Sequence, residues 1–319
     1  MKRHLLLLAL LPSLASHAAS FDCAKAQSQD EKAICGHPEL SRLDEEMAQT
    51  YAQALKGNNT SEVKAAQRQW LKARRKAGSS YLELRPLYIR RITELKHPGT
   101  RWSPQDWQNA KGPWSEAGLT ETEGEDLNIV DVSAQGFKFE FRSSAHHPGF
   151  IEGYARATPT GAFFKSSPCE LRFTPLAPGI MKIHPKGCDD PVGIYFFDGV
   201  FFQGDHKYVP SLFDLDVLDS PEADQAFRAL TGKAYGEFVW RLHYPSWDTQ
   251  DADGFGAKVT TGFMPGNAPD KAIIMKSRDG HFYAAYLEGG KLHYFSNDSR
   301  YAKRLPKTIS SWARGTEGL

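Results

Sequence analysis

The chain has 319 residues and carries 39 Lys and Arg residues against 38 Asp and Glu residues, a formal net charge of +1. This near balance lacks the basic excess that nucleic-acid binding leaves in a sequence, so no nucleic-acid partner is expected. The length allows one to three domains.

The first 18 residues have the pattern of a cleaved export signal. Lys2 and Arg3 precede an apolar run from Leu5 to Leu11, and small residues close the segment at Ala18. The run is shorter than the ~20 apolar residues that span a bilayer, and no other segment approaches that length. We therefore expect cleavage after Ala18 and a soluble periplasmic protein without a membrane span.

The four cysteines fall into two local pairs, Cys23 with Cys35 and Cys169 with Cys188. In an exported chain such cysteines are best interpreted as two disulfides rather than as metal ligands. Nearest-neighbour bridging is expected in both pairs.

Residues 19–97 are predicted to be helical. Ser28 with Glu31 forms a possible capping box for a short helix that ends near Cys35. Three longer helices are expected. Those from Pro38 to Gly57 and from about Ser80 to Lys96 have apolar residues at three- and four-residue steps, and the one between them, from Thr60 onward, carries the apolar residues Val63, Trp70 and Leu71. Their charged faces are interpreted as solvated helix surface.

Residues 98–210 are predicted to form a small antiparallel β domain, a barrel or a sandwich. Short alternating runs lie between Gly and Pro residues, which is typical of such domains. The runs are 127–130, 137–141, 171–173, 180–183 and 194–197. The neighbouring phenylalanines are interpreted as core, although a surplus on the surface would mark a partner-binding face. They are Phe163, Phe164, Phe196, Phe197, Phe201 and Phe202.

Residues 211–319 are predicted to be an α+β domain. A helix capped by Ser220 ends near Gly232, and a second helix covers 235–242. Strands are expected at 257–263, 272–275, 281–287 and 291–296, followed by a loop and a short helix over 302–312. The whole chain is thus an α+β multidomain protein.

Several segments of 21–96 resemble the LprI-type family of lysozyme-inhibitor-like exported proteins. They are Phe21-Asp22-Cys23, Glu31-Lys32-Ala33-Ile34-Cys35, Pro38-Glu39-Leu40, Gln67-Arg68-Gln69-Trp70-Leu71 and the helix around Tyr88. The family often has a further cysteine pair, which residues 74–84 lack. The resemblance therefore favours a bridge between Cys23 and Cys35, the alternative being two free thiols.

Residues 215–315 look more distantly like the inhibitor of vertebrate lysozyme (Ivy) family, through their order of elements and apolar pattern. In that family a disulfide-closed loop presents a histidine to the lysozyme active site. The corresponding residues here keep only the proline of that loop. They are Phe263, Met264, Pro265, Gly266, Asn267 and Ala268. The resemblance implies that this segment is the candidate inhibitory loop.

No sequence motif indicates catalysis. The chain lacks a Gly-x-Ser-x-Gly nucleophile, a His-Glu-x-x-His zinc motif and a phosphate-binding glycine loop. His146-His147 is interpreted as an exposed turn rather than a metal site, and Asp251 with Asp253 as an Asp-stabilised turn rather than a calcium loop. No metal or cofactor is expected, and the acidic residues Asp214, Asp216 and Asp219 are interpreted as a solvated linker or a patch for a basic partner.

The sequence therefore predicts a non-enzymatic periplasmic inhibitor that occludes a peptidoglycan-cleaving enzyme, either a lysozyme or a rival's secreted muramidase-type toxin. In the second case it would be an immunity protein. The alternatives are a cell-envelope binding or scaffolding protein without a lysozyme target, and an envelope enzyme of unrecognised type.

Overall fold

The computed structural model describes residues 19–98, 103–116, 125–143, 149–188, 199–204, 208–264 and 267–315. The chain divides into two compact units, the first ending at Lys207 and the second beginning at Tyr208. The first unit contains a helical domain and a closed antiparallel barrel, and the second contains an antiparallel sheet with helices. The predicted α+β multidomain class is confirmed.

Four helices make up the helical domain: α1 (Gln29–Gly36), α2 (Pro38–Ala54), α3 (Thr60–Ala77) and α4 (Tyr81–Lys96). The predicted capping box exists, since Glu31 N–H bonds to Ser28 Oγ and the Glu31 carboxylate accepts the Ser28 N–H. The stripe of α2 buries Leu40, Leu43 and Met47 against the other helices. Leu71 of α3 was named with Trp70 among the apolar residues of its helix, but Trp70 is buried whereas Leu71 is 41% exposed.

Eight strands close into the barrel. A short helix, α5 (Pro104–Asn109), precedes them. The eight strands are β1 (Gly112–Glu116), β2 (Glu125–Ser133), β3 (Gly136–Ser143), β4 (Gly149–Thr158), β5 (Gly161–Ser166), β6 (Cys169–Ala177), β7 (Ile180–Lys186) and β8 (Gly199–Gln203). Each strand pairs with the next, and β1 also pairs with β8 through Ser115 and Phe202, so the sheet has no free edge.

The barrel interior is aromatic because alternate residues of each strand point inward. On β3 the inward residues Phe137, Phe139 and Phe141 are each at most 1% exposed. Trp107 of α5 packs on Phe137 with ring centroids 5.1 Å apart, so α5 covers this part of the core.

The phenylalanine pairs singled out in the sequence divide between core and surface. Phe164 and Phe201 are buried in the barrel core. Phe163 lies on the outer side, where the Arg172 guanidinium sits 5.8 Å from its ring centroid. The predicted strand 194–197, with Phe196 and Phe197, lies outside the described residues.

Both disulfides are local, Cys23–Cys35 and Cys169–Cys188. The first ties the segment before α1 to the last turn of that helix. The second connects β6 to the residues that follow β7, so all four cysteines are paired.

The second unit begins with α6 (Pro221–Thr231) and α7 (Tyr235–Arg241). Four strands follow, β9 (Lys258–Met264), β10 (Asn267–Lys276), β11 (Phe282–Glu288) and β12 (Lys291–Ser296), and α8 (Lys307–Arg314) comes last. The sheet order is β12-β11-β10-β9, so β9 is an edge strand. Phe227 of α6 packs on Phe282 at 5.3 Å, whereas Ile309 of α8 joins the opposite core with Ile273.

Two aspartates close turns in this unit. Asp298 follows β12 and accepts hydrogen bonds from Tyr283 Oη at 2.7 Å and Arg300 Nη2 at 2.8 Å. Asp214 is 6% exposed and accepts the Ser211 N–H at 2.7 Å. Asp214 therefore stabilises a turn, and its interpretation as part of a solvated linker or acidic patch was wrong.

Among the helices within the described residues, none has the length and apolarity needed to cross a membrane.

Candidate functional site

The candidate inhibitory loop lies at the β9–β10 connection, on the edge strand of the second unit. Phe263, the next-to-last residue of β9, is 54% exposed and pairs with Lys271 of β10. The register shifts between Asn267 and Lys271, which marks an irregular hairpin end. Pro265 and Gly266, and the side chains of Met264, Asn267 and Ala268, lie outside the described residues.

The base of this hairpin is held firmly. A Cβ at Gly262 would stand 2.7 Å from the Arg241 carbonyl oxygen, so the end of α7 packs directly against β9. Ser246 and Thr261 exchange both backbone hydrogen bonds, at 2.7 and 2.9 Å, which covers part of the outer edge of β9. Phe263 thus projects from a fixed scaffold.

Two exposed tryptophans, Trp240 and Trp247, are chain neighbours of residues that contact β9. Trp240 precedes the residue that packs on β9, and it is 39% exposed. Trp247 follows the bridging Ser246, is 49% exposed, and has the Lys258 ammonium 6.0 Å from its ring centroid. Trp240, Trp247 and Phe263 are three of the exposed large apolar side chains of this unit.

A second candidate surface is the outer face of α3, which we call the basic ridge. It consists of Lys64, Arg68, Lys72, Arg75 and Lys76, all exposed. The helix has six basic residues and one acidic residue, Glu62, and the exposed Leu71 lies within the ridge. In the described part of the chain, no ridge side chain has an ion pair or hydrogen bond.

The ridge works against the stability of its own helix. Lys64, Arg68, Lys72 and Lys76 follow one another at four-residue steps, and each like-charged pair at that spacing costs about 0.2–0.5 kcal/mol. Basic residues near the C-terminus favour the helix dipole, but Lys64 lies in the first half, where that benefit is absent. The repulsion between Lys64 and Arg68 therefore lacks that compensation, and local conflicts of this kind occur at functional surfaces.

Glu46 and Glu39 of α2 pair with basic residues outside the ridge. Glu46 binds Lys96 at 2.6 Å and Arg42 at 3.0 Å, and the hydrogen bond from Lys96 holds the pKa of Glu46 below its usual value. Glu39 binds Arg85 of α4 at 3.1 Å. From the sequence these charged faces are interpreted as solvated surface, and only the structure shows which acidic residues are paired.

The sixth basic residue of α3, Arg74, points inward into a buried carboxylate cluster. Its Nε bonds to Asp30 at 2.9 Å and its Nη1 lies 3.5 Å from Asp44. Tyr88 donates to Asp44 at 2.6 Å. Burial, together with this contact, raises the pKa of Tyr88 far above its usual range, so its hydroxyl stays a donor.

Ser20 completes the cluster by donating its N–H at 2.9 Å and its hydroxyl at 2.6 Å to Asp44. The groups come from all four helices and the segment before them, and they satisfy one another. Perturbed groups that are fully paired and enclosed indicate a structural network rather than a catalytic site.

Asp251 and Asp253, interpreted from the sequence as stabilising a turn, accept main-chain N–H groups in the structure. Asp253 accepts hydrogen bonds from Lys307 N at 2.8 Å, Thr308 N at 2.9 Å and Thr308 Oγ1 at 2.7 Å, so it caps the start of α8. Asp251 accepts the Asp253 N–H at 3.0 Å. In the described residues there is no group of three or more His, Cys, Asp or Glu side chains able to hold a metal; His146 and His147 lie outside them.

These features define a small disulfide-bonded helical domain organised for rigidity. Residues 23–90, from the segment before α1 into α4, match the family model described as Lysozyme inhibitor LprI. The resemblance stated for residues 21–96 is thereby confirmed over the matched segment. No curated protein and no solved structure matches the chain, and the Ivy-like resemblance of the second unit stays a prediction.

Proposed function

We propose that this protein is a non-enzymatic periplasmic inhibitor of a peptidoglycan-cleaving enzyme, and that it acts by occluding the enzyme's active-site cleft. The observation that carries the proposal is the match of residues 23–90 to a lysozyme-inhibitor family model. The target is either a lysozyme or a muramidase-type toxin from a rival, which would make the protein an immunity protein.

The structure of the helical domain supports this role on physical grounds. An inhibitor needs a rigid surface that loses little freedom on binding, and it needs no reactive group. The Cys23–Cys35 bridge and the carboxylate cluster hold the four helices together. Arg90 of α4 also binds Glu116 of β1 at 3.0 Å, which attaches the domain to the barrel.

A direct inhibition assay tests the proposal. Purified protein beginning at Ala19 is added in micromolar excess to c-, g- and i-type lysozymes and to candidate muramidase toxins, with turbid cell walls as substrate. Inhibition of at least one enzyme is expected. If all of them stay fully active, the inhibitor proposal fails, and capture from envelope extract would then test the scaffolding alternative.

The candidate inhibitory loop has its own test. Replacing Met264 and Asn267 with Glu places two charges at the hairpin end, where an apolar peg would enter a cleft. Loss of inhibition is expected if this loop is the peg, whereas Lys291→Glu on β12 serves as a charge-changed control. Unchanged inhibition would mean that another surface makes the contact.

A further inference from the structure

We infer that the basic ridge of α3 is the surface through which the helical domain contacts its enzyme, and that the partner surface is a carboxylate-lined glycan cleft. This inference rests on the proposed inhibitory function and names the chemistry of the partner's side. It differs from the candidate inhibitory loop in both domain and charge.

The first reason is charge complementarity. Hydrolysis of a glycosidic bond uses a pair of carboxyl groups that flank the scissile linkage, so the cleft of such an enzyme concentrates negative potential. The ridge offers cations that have no partner in the described part of the chain. Opposite potentials steer encounter and fix orientation between two proteins.

The second reason is shape. From Lys64 to Lys76 the ridge extends about 18 Å along α3, and a single helix is narrow enough to lie in a groove. Leu71, 41% exposed, gives the ridge an apolar contact amid the charges.

The third reason is that the helix is fixed from behind. Trp70 is buried on the opposite face and donates its indole N–H to the Leu87 carbonyl of α4 at 3.0 Å. Because the ridge is displayed by a helix that is already ordered, its main chain loses little conformational entropy on binding.

Charge reversal on the ridge tests the inference. In Arg68→Glu with Lys72→Glu, inhibition of the enzyme that responds to the wild type is expected to weaken by about ten- to a hundredfold. Lys233→Glu with Lys303→Glu is the matched control, since both lysines are exposed in the second unit and the net charge changes equally. The control is expected to inhibit like the wild type.

Two further measurements separate the possible outcomes. Thermal unfolding checks that the ridge variant folds, and relief of like-charge repulsion predicts a midpoint no lower than that of the wild type. Raising the salt to about 1 M, where the Debye length is about 3 Å, should weaken wild-type inhibition and leave the ridge variant nearly unaffected.

A folded ridge variant that inhibits as well as the wild type overturns the inference and leaves the proposed function standing. Loss of inhibition in the control variant to the same extent also overturns it, because net charge would then be the cause. A wild type that inhibits no enzyme overturns both.

A separate observation concerns Ala19 and is independent of inhibition. Ala19 is 8% exposed, and the next residue, Ser20, is bound to Asp44 through its main-chain N–H and its hydroxyl. In the carboxylate cluster two carboxylates, Asp30 and Asp44, face one guanidinium, that of Arg74. We propose that export processing places the α-ammonium of Ala19 beside Asp44 as a second cation.

The chemistry of this step is simple hydrolysis. A leader-cleaving peptidase and one water split the Ala18–Ala19 bond, the hydroxyl goes to the Ala18 carbonyl carbon, and the Ala19 nitrogen gains protons. An α-amine ordinarily has a pKa of about 7.7–8.0 and is cationic when the pH is below that value. The Ala19 amine lies one residue before Ser20, whose N–H and hydroxyl both bond to Asp44, and therefore near that carboxylate. The titratable side chains of the carboxylate cluster around this position come one from each helix: Asp30, Asp44, Arg74 and Tyr88.

The test compares two forms of the full chain, one beginning at Ala19 and one with Gly-Ser added before it. The native start is expected to lower the unfolding equilibrium constant about tenfold at neutral pH, which corresponds to a one-unit rise in the amine's pKa. The difference should disappear in Asp44→Asn. Equal stability of the two forms, or a difference that persists in Asp44→Asn, overturns the proposal.

A readout without any substitution guards against a variant that does not fold. The Ala19 amine of the native protein should acylate about tenfold more slowly at neutral pH than that of a peptide covering residues 19–28, because only the uncharged amine reacts. Equal rates, or an exported protein whose mass shows a first residue other than Ala19, would contradict the proposal.

Discussion

Removal of the Arg74 guanidinium should strongly destabilise the helical domain. The substitution Arg74→Met keeps most of the volume of the side chain and deletes its charge. It leaves Asp30 and Asp44, whose side chains are 2% and 4% exposed, facing each other without the cation that binds both. Breaking a buried ion pair from one side costs about 3–5 kcal/mol, because the remaining charge stays desolvated.

That loss is a large part of the total free energy of unfolding, which is about 5–15 kcal/mol for a typical domain. Arg74 also stacks 5.7 Å from the Trp70 ring centroid, a contact that methionine replaces only in part. Urea unfolding of the full chain followed by far-ultraviolet circular dichroism measures the loss, since the long helices dominate that signal.

Arg75→Met is the matched control, because the neighbouring arginine is exposed and belongs to the basic ridge. Its effect on the free energy of unfolding should lie within about 0.5 kcal/mol. If Arg74→Met costs no more than Arg75→Met, then the cluster does not stabilise the domain and the reasoning from burial is wrong.

Three further predictions concern the other parts of the fold. Asp253→Ala should lower the unfolding free energy by about 1–2 kcal/mol, because α8 loses its cap, and added calcium should leave the wild-type thermal midpoint unchanged. Hydrogen bonds from neighbouring Arg and Tyr side chains hold the pKa of Asp298 far below its usual range, so its stabilising effect is present above about pH 4 and lost as pH falls. Asp298→Asn should therefore reduce stability at neutral pH and flatten its decline in acid, as measured by unfolding at each pH. Gly153→Ala would place a Cβ 2.2 Å from the Phe164 ring inside the barrel, and calorimetry should show a loss of about 1–3 kcal/mol.

The helices were predictable because their signals are local. The Ser28 capping box and the apolar stripe of α2 each depend on residues within a turn or two of one another. Leu71 shows the limit of that approach. It lies next to Trp70 in the chain, but a helix turns by about 100° per residue, so Trp70 faces α4 while Leu71 faces outward.

The barrel shows a different limit. Alternation along 137–141 predicted a strand with one buried face, and Phe137, Phe139 and Phe141 are buried as that pattern requires. The choice between barrel and sandwich depends on whether β1 pairs with β8, about 85 residues apart in the chain. Such pairing is not encoded in any local pattern, so the sequence left both architectures open.

For the candidate sites, the sequence by itself determined composition and spacing. It set six basic residues along the helix from Thr60 onward, placed strands on either side of the candidate inhibitory loop and paired the cysteines by proximity. Tertiary structure decided what those charges do. Arg74 and Arg75 are adjacent and chemically identical, yet one is enclosed by carboxylates from α1 and α2 and the other is exposed. The difference arises because helix packing removes water from one face of α3, and a charge on that face must find its partner within the protein.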